Sequence, residues 1–216
     1  MKQDSGIIRI SVFYDGTFYS KLSSYYKYHH KRQSNLTFTG LHEFIRHKIA
    51  EKEQIDVVFC QIVEAHFFRG RFSLTAAKSA DSLESDRFLD QLLMHAAIVS
   101  HYYPMNESVT PPAEKGIDVW LALEAYDLAV HKRFDVLVLV TGDQDFIPLV
   151  RKVNGIGTRV MVLTDDVKWK DSNGNDRYIN TSQRLIDEAS YPILLSKEID
   201  ARTSKNDRII DGLFQK

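Results

Sequence analysis

Two aspartates, Asp143 and Asp145, follow a long apolar run and are separated by a single residue. The run Val136–Val140 is continuously apolar, which is typical of a central strand in a parallel sheet. Pro148 lies near the start of the next apolar stretch, where it is compatible with the first turn of a helix. Open α/β sheets bind their ligands at the carboxyl ends of such strands. Because two neighbouring carboxylates repel each other unless a cation lies between them, the spacing makes a metal site the first hypothesis.

Other acidic residues are expected at the ends of different segments. Asp15 follows the first predicted strand, and Asp118 lies in the first turn of a helix predicted from residue 117. Glu124 comes nearly two turns after Asp118, so the two share a helix face only loosely. Hard cations such as Mg²⁺ or Mn²⁺ bind carboxylate and water oxygens and complete their coordination with substrate phosphates. Such a cation activates water beside a scissile phosphate, so the pattern indicates phosphodiester hydrolysis.

Each of these acids also has a purely structural explanation. Asp145 is as well suited to cap a helix as to bind a metal, and Asp118 is favoured in a first turn by the helix dipole. Asp15 with the glycine after it is a common turn, and Glu124 alone suits a solvated helix surface. Only the convergence of the acids at the ends of separate segments favours a site. From spacing alone, the functional and structural interpretations are about equally supported.

Length and composition restrict the class of protein. A chain of 216 residues is long enough for one well-buried α/β domain and short for two. The net charge of −1 excludes a strongly basic, non-specific nucleic-acid binder, although a local basic groove remains compatible with it. The only cysteine, Cys60, lies in an apolar run and is expected to be a buried thiol, as in a reducing compartment. Without a signal-peptide pattern or a run of membrane-spanning length, we expect a cytoplasmic protein with no membrane partner. A homodimer is left open.

Strand and helix patterns alternate along the chain, which predicts an α/β fold: a three-layer α/β/α sandwich with a mainly parallel central sheet. Strands are expected at residues 7–14, 55–63, 96–103, 136–140, 158–163 and 191–194, and helices at 38–53, 82–94, 117–130, after Asp145, and at 182–189. Residues 25–35 show no clear period, and residues 171–176 are expected to form a turn-rich loop. Residues 1–195 are predicted to be one domain with an insertion around 64–110, followed by a polar tail at 196–216 whose apolar residues could dock a final helix.

Three blocks of the sequence resemble a known family. They are DGT at residues 15–17, KGIDVWLALEA at 115–125 and VLVTGDQDFIPLV at 138–150. Together they resemble the NYN domain, and specifically the LabA-like (DUF88) branch of the PIN-like nuclease superfamily. The third block is the most specific, and the resemblance covers roughly residues 7–195 with little support between 64 and 110. The resemblance implies a PIN-like fold and a metal-dependent endoribonuclease that uses Mg²⁺ or Mn²⁺.

The resemblance also implies roles for particular residues. The expected catalytic and metal-binding residues are Asp15, Asp118, Asp143 and Asp145. The expected supporting residues around them are Thr141, Thr17 and Glu124. This chain departs from the family pattern at Phe18, where an Asn is usual, and at Glu124, where an Asp is more common. The first departure affects an expected substrate or supporting contact, whereas the carboxylates themselves are retained.

RNA is the expected partner, and a nuclease needs cations for the phosphate backbone and flat surfaces for the bases. Residues 19–32 are aromatic and basic and directly follow the Asp15 loop, which favours them as an RNA-contacting segment. A polar loop with a few packed tyrosines explains the same segment equally well. The predicted RNA-binding residues are Lys115, Lys31, Arg32, Tyr25, Arg69 and Arg71.

Rival functions remain at this point. An RNA-binding or regulatory module of the same fold, with little or no hydrolysis, is kept open by Phe18. A haloacid-dehalogenase-like phosphatase is disfavoured because its Asp-x-Asp-Gly-Thr motif requires an Asp at the position of Phe13. A dinucleotide-binding domain is excluded because no Gly-x-Gly-x-x-Gly follows the first strand. The sequence therefore predicts metal-dependent cleavage of RNA, with the regulatory module as the alternative.

Overall fold

A six-stranded parallel sheet positions the acidic residues. The structure is a computed structural model that describes residues 6–171, 173–201 and 207–214. The strands in these residues are β1 (Ile8–Asp15), β2 (Cys60–Arg71), β3 (Val99–Pro104), β4 (Val136–Val140), β5 (Arg159–Thr164), β6 (Val167–Lys170), β7 (Asp176–Ile179) and β8 (Tyr191–Leu194). The helices are α1 (Gly16–Tyr28), α2 (Phe38–Glu53), α3 (Leu74–Ser79), α4 (Leu83–His95), α5 (Ile117–Lys132), α6 (Ile147–Gly155), α7 (Gln183–Glu188), α8 (Leu195–Ala201) and α9 (Arg208–Gly212).

The order of the strands creates a switch point in the middle of the sheet. The parallel strands lie in the order β3-β2-β1-β4-β5-β8, while β6 and β7 form a separate antiparallel hairpin. From β1 the chain first adds β2 and β3 on one side, and it then returns to add β4, β5 and β8 on the other. Ligands of open α/β sheets bind outside the carboxyl ends of the strands where this reversal occurs. Here that point lies between β1 and β4, which end at Asp15 and Val140.

Alternating side chains of the central strands fill two hydrophobic layers, one on each face of the sheet. In β1, Val12 and Tyr14 belong to the layer that includes residues of α1, α2 and α9, whereas Phe13 belongs to the layer that includes residues of α5 and α6. In β4 the same alternation separates Val138 from Leu139. All five residues are at most 1% exposed. Burial on both faces explains why β4 is apolar without interruption, and it confirms the predicted three-layer α/β sandwich.

Several predicted elements are found close to their expected positions. The helix predicted at residues 38–53 is α2, in which the Thr37 side chain accepts a hydrogen bond from the Gly40 amide and caps the first turn. At its other end, Gln54 adopts a left-handed conformation with φ of 56°, which terminates the helix. The strands β4, β5 and β8 and the helices α4 and α7 lie within a few residues of the predictions.

The structure differs from the predictions in three parts of the chain. The helix α1 (Gly16–Tyr28) was not predicted, and the segment without clear period at 25–35 contains only its last four residues. The second strand runs over Cys60–Arg71 and not over residues 55–63, since residues 57–59 form a 3₁₀ turn before it. The turn-rich loop expected at 171–176 is confirmed among the described residues, but the two strands that it joins, β6 and β7, were not predicted.

The last described segments pack against the body of the domain. In α9, Ile210 is fully buried, and Leu213 and Phe214 just beyond it are also buried. The backbone amide of Thr37 donates a hydrogen bond to the carbonyl of Leu213, which ties this end of the chain to the start of α2. Residues 202–206 and 215–216 of the predicted tail lie outside the described residues. Among the described helices, none combines the length and apolar character needed to cross a membrane.

Candidate active site

An open cleft of about 670 Å³ lies at the carboxyl ends of β1 and β4. Three of the four predicted catalytic aspartates line it together, and they come from the end of β1, the start of α5 and the loop after β4. The residues lining the cleft are Asp15, Thr17, Phe18, Lys21, Glu114, Asp118, Gly142, Asp143, Gln144, Tyr178, Ile179, Asn180 and Ser182. The topology therefore brings Asp15 together with Asp118 and Asp143, which lie more than 100 residues later in the chain.

Asp15 is held by hydrogen bonds from both sides of the switch point. Its Oδ1 accepts the backbone amide of Phe18 at 3.0 Å, so that Asp15 caps α1. Its Oδ2 accepts the hydroxyl of Thr141 at 3.1 Å. Burial nevertheless raises the pKa of Asp15, and the nearby Glu114 raises it further against the lowering effect of these hydrogen bonds. The carboxyl group is thus fixed in position, and its charge is poorly solvated.

Asp143 and Asp145 have different roles from those considered in the sequence. The Asp143 side chain accepts the Asp145 amide at 2.9 Å and caps the 3₁₀ turn Gln144–Phe146. Asp145 therefore does not cap a helix; it lies exposed within that turn and does not line the cleft. The Asp143 amide donates to the hydroxyl of Thr141 at 3.3 Å. Thr141 thus connects Asp15 to Asp143, which agrees with the supporting position expected for its hydroxyl.

The charges of the acidic residues converge on Asp118. Its pKa is raised from 3.8 to about 6, first by partial burial and then by the negative charges of Asp15, Asp143, Glu114 and, least, Asp145. Neighbouring carboxylates that raise one another's pKa favour binding of a cation, because an opposite charge between them relieves the repulsion. Asp145 therefore contributes to the field of the site although it lies outside the cleft.

Glu114 belongs to the site but was missed in the sequence. Its Oε2 accepts the hydroxyl of Thr17 at 2.7 Å, and its Oε1 accepts the backbone amide of Gly70 at 2.8 Å. These contacts fix Glu114 between the start of α1 and the end of β2, and they place Thr17 at the cleft as expected. Glu114 precedes α5 in a proline-containing loop, and nothing local in the sequence marks it. Only contacts between remote segments reveal its position.

The donor set fits a hard divalent cation that keeps part of its water shell. Within the described residues, no group of three or more His, Cys, Asp or Glu side chains is close enough to hold a metal ion by itself. Mg²⁺ is commonly held by one or two carboxylates, with waters and substrate phosphates as its other ligands. The lone pairs that remain on Asp15, Asp118 and Asp143 are oxygen donors of the required kind.

Glu124 lies away from this cleft. It is near His66 of β2 and His101 of β3: burial lowers the pKa values of these two histidines, and the charge of Glu124 partly opposes that lowering. It is neither a lining residue of the cleft nor among the charges that act on Asp118. The structure therefore does not bring Glu124 to the acidic cleft, because six residues along α5 turn its side chain toward β2 and β3.

Two predicted RNA-contacting cations lie at the far end of α1 and form ion pairs. Lys31 Nζ is 2.8 Å from Asp200 Oδ1, and Arg32 Nη1 is 2.7 Å from Asp211 Oδ1. The 13 residues of α1 separate this end from Asp15 by about 20 Å. Tyr25 is also committed to packing, since its ring centroid is 5.1 Å from that of Trp169. The structure does not bring this group to the cleft.

The remaining predicted cations are nearer to the acids. Arg69 and Arg71 line a cavity of about 250 Å³ that adjoins the cleft. Residues that line both cavities are Thr17, Lys21 and Glu114. Arg71 Nη2 is 2.8 Å from Asp90, and its guanidinium lies 3.7 Å from the centre of the Tyr102 ring. Arg69 forms no such ion pair or ring contact among the described residues, so it is the better candidate of the two for binding a phosphate. Lys115 is exposed between Glu114 and Asp118 in the chain and forms no ion pair within the described part of it.

Two exposed residues at the rim of the cleft were not named as RNA-contacting residues, although Lys21 lies within the segment 19–32 that was favoured for this role. Lys21 lies one turn into the solvent-facing side of α1, and Tyr178 projects from β7 with 67% of its surface exposed. Tyr178 is paired with Lys168 across the β6–β7 hairpin, which sets an aromatic ring beside a cation. The alternating sequence of Val167–Lys170 is the signal that could have identified the hairpin.

Comparison with known proteins decides the family. The family described as NYN domain matches residues 9–195. The chain belongs to the NYN domain family. This NYN domain is also similar to a solved structure, that of a protein of unknown function, VPA0982, from Vibrio parahaemolyticus. The two share 18% sequence identity with a TM-score of 0.57, and the alignment covers 90% of this chain and 96% of the other. At that identity the likeness shows the fold alone.

No curated protein matches the chain. The family assignment therefore rests on the match that spans most of the chain, and it confirms the NYN resemblance found in the sequence. NYN domains have a nuclease-like fold, and the acidic cleft of this NYN domain lies at the switch point of that fold. At this coarse level, the family supports a hydrolase.

Proposed function

We propose that this chain is a metal-dependent endoribonuclease of the LabA-like (DUF88) branch of the NYN family, and that it hydrolyses phosphodiester bonds of RNA in the acidic cleft. The observation that carries the proposal is the convergence of Asp15, Asp118 and Asp143, from three separate elements, on one cleft at the switch point. A capping or turn role explains each acid singly, but it does not require them to meet. We expect the protein to act in the cytoplasm, since Cys60 is a buried free thiol suited to a reducing compartment.

The proposed cofactor is Mg²⁺ or Mn²⁺, held by one or two of the carboxylates of Asp15, Asp118 and Asp143, with water and substrate phosphate as its other ligands. When bound, such an ion lowers the pKa of water and stabilises the negative charge that develops on the phosphate. The protein supplies the positioning: the Phe18 amide and the Thr141 hydroxyl fix Asp15, and the Asp145 amide fixes Asp143.

Substrate contacts are proposed at the rim of the cleft. Lys21 lines the cleft, Arg69 lines the adjoining cavity, and Lys115 lies between Glu114 and Asp118 in the chain. These three cations would bind the phosphates on either side of the scissile bond. The exposed ring of Tyr178 offers a surface on which a base can stack. Lys31 and Arg32 are left out of this set, because their ion pairs lie at the opposite end of α1.

The test incubates the purified protein with single-stranded and structured RNAs in Mn²⁺, in Mg²⁺ and in EDTA, and it includes the Asp143→Asn variant. We expect cleavage in at least one of the two metals, and loss of cleavage both in EDTA and in the variant. Cleavage that persists in EDTA or in Asp143→Asn would contradict the proposal.

The second candidate is an RNA-binding or regulatory module with little or no hydrolysis. One observation favours it: Phe18, which replaces the usual Asn, lines the cleft and puts an apolar ring where a polar contact is expected. The same assay separates the two candidates, since tight RNA binding without cleavage in either metal supports the module. A Phe18→Asn variant that gains cleavage would identify this residue as the cause.

A further inference from the structure

The helix α5 is apolar on two opposite sides. One side is buried against the sheet and consists of Ile117, Leu121, Ala125 and Ala129. The opposite side, which we call the α5 outer face, consists of Val119, Leu123, Tyr126 and Val130, with exposed fractions of 63%, 65%, 36% and 41%. A surface helix normally has polar residues on its outward side, and a helix that is apolar all round is normally covered. The α5 outer face therefore indicates an interaction surface.

The spacing of the α5 outer face suits packing against another helix. Its residues follow one another at intervals of four, three and four positions, which is the pattern of a helix-packing seam. The pattern is also the same when it is followed in the opposite direction. A two-fold interface requires such a self-complementary surface, because each copy contributes the same residues.

We propose that the α5 outer face binds a second copy of this chain, with the two α5 helices antiparallel across a two-fold axis. In this arrangement the axis passes between Leu123 and Tyr126, so that Leu123 of one copy contacts Tyr126 of the other. Val119 of one copy then lies against Val130 of the other. An exposed leucine and an exposed tyrosine at the centre provide the kind of aromatic and aliphatic anchor that protein interfaces use.

The charges at the two ends of α5 select the antiparallel orientation. The amino-terminal end carries Asp118 and adjoins the acidic cleft, whereas the carboxyl-terminal end carries His131, Lys132 and Arg133. Lys132 is ion-paired with Glu64, but Arg133 is exposed and forms no ion pair among the described residues. An antiparallel pair places each basic end beside the acidic end of the other copy and also aligns the helix dipoles favourably. A parallel pair would bring the two acidic ends together.

The first test is the mass of the protein in solution. Sedimentation or light scattering is measured between about 5 and 100 μM for the full chain, for Leu123→Glu and for the control Leu74→Glu. The control replaces a leucine of the short helix α3 with a nearly equal exposed fraction, 63% against 65%. We expect a dimer for the full chain and the control, and a dissociation constant at least about 30-fold higher for Leu123→Glu.

Both leucines are exposed in the isolated chain, so neither substitution removes core packing. An unchanged circular dichroism spectrum shows that each variant retains the fold. A full chain that is monomeric at 100 μM would overturn the proposal. A Leu123→Glu variant that dimerises like the full chain, or a Leu74→Glu variant that dissociates equally, would overturn it as well.

The second test is the orientation of the two helices. Val119→Cys and Val130→Cys variants are oxidised separately and as a mixture, which the buried position of Cys60 allows. We expect a disulfide-linked dimer in the mixture and much less in either variant alone, since position 119 faces position 130. Efficient linking of Val119→Cys to itself indicates a parallel pair and would overturn the antiparallel arrangement.

Discussion

His42 should make the stability of the protein sensitive to mild acid. This residue lies on α2, with its ring centroid 6.1 Å from that of the fully buried Tyr14. Its Nε2 is buried and has no hydrogen-bond partner among the described residues. Burial lowers the pKa of His42 from 6.5 to about 4, against a smaller raising effect of Glu43. The folded protein therefore holds His42 neutral in a pH range in which the unfolded chain protonates it.

The direction and size of the effect follow from proton binding. Above about pH 6.5 the residue is neutral in both states, and its contribution to stability is fully present. As the pH falls toward 4, the unfolded state binds a proton that the folded state does not, so the free energy of unfolding decreases. At about 1.4 kcal/mol for each pH unit, we expect a loss of about 2 kcal/mol between pH 7 and pH 5. Asp118, whose pKa is raised, acts in the opposite direction because the folded state takes up its proton first.

The assay is urea unfolding at several pH values between 5 and 7, for the wild-type chain and for His42→Gln. The glutamine does not titrate, so its free energy of unfolding should depend less on pH, and the difference isolates His42 from the carboxyl groups. His47→Gln on the same helix is the matched control, since that side chain is 37% exposed. Equal pH dependence of the wild type and His42→Gln would refute the reasoning.

Three further predictions concern single side chains. Tyr26→Phe removes the hydroxyl that donates to the buried carboxylate of Asp165 at 2.7 Å, and it should lower the free energy of unfolding, measured in urea, by about 2 kcal/mol. The control Tyr28→Phe, at an exposed site, should lower it by less than about 0.5 kcal/mol. Gly16→Ala places a Cβ 2.5 Å from a backbone oxygen of β2, so it should destabilise the protein by about 1–3 kcal/mol in thermal unfolding. An unchanged melting temperature would contradict the close approach of α1 to β2 at this residue. If Lys115 contacts a phosphate, the affinity of Lys115→Ala for single-stranded RNA should depend less on salt: the slope of log affinity against log salt concentration should be less negative by about 0.7. Fluorescence anisotropy measures this slope, and an unchanged slope excludes the contact.

The central sheet and the acids at its carboxyl end could be predicted because their signals are local or topological. The apolar run Val136–Val140 and the two acids after it lie next to each other in the chain. Once the sheet is parallel, the ends of β1 and β4 must lie at the same edge, which brings Asp15 to Asp143. The position of Asp118 follows in the same way from the start of α5.

Features that depend on contacts between remote segments could not be predicted. Glu114 reaches the site through Thr17 and Gly70, which come from two other elements. The capping role considered for Asp145 belongs to Asp143, and it depends on backbone angles in a short turn, where a shift of two residues decides which side chain caps.

The boundaries of α1 were hidden by its composition. Its buried face includes Phe18, Tyr19, Leu22 and Tyr26 among serines and lysines, a spacing that mean hydropathy does not resolve as a helix. As a result, the segment 19–32, favoured for RNA contact with a polar loop as the alternative, was not recognised as helical up to Tyr28. Its basic end is occupied by ion pairs about 20 Å from the acids.

The most direct test of the proposed nuclease is the single-turnover cleavage rate of Asp143→Asn compared with that of Glu124→Gln in the same RNA and Mn²⁺ concentration. Both residues were expected at the site, but only Asp143 lines the cleft, whereas Glu124 lies near His66 and His101. The account predicts a loss of at least about 100-fold for Asp143→Asn and a change of less than about threefold for Glu124→Gln, which makes no contact with the cleft. Equal losses in the two variants, or full activity of Asp143→Asn, would contradict it.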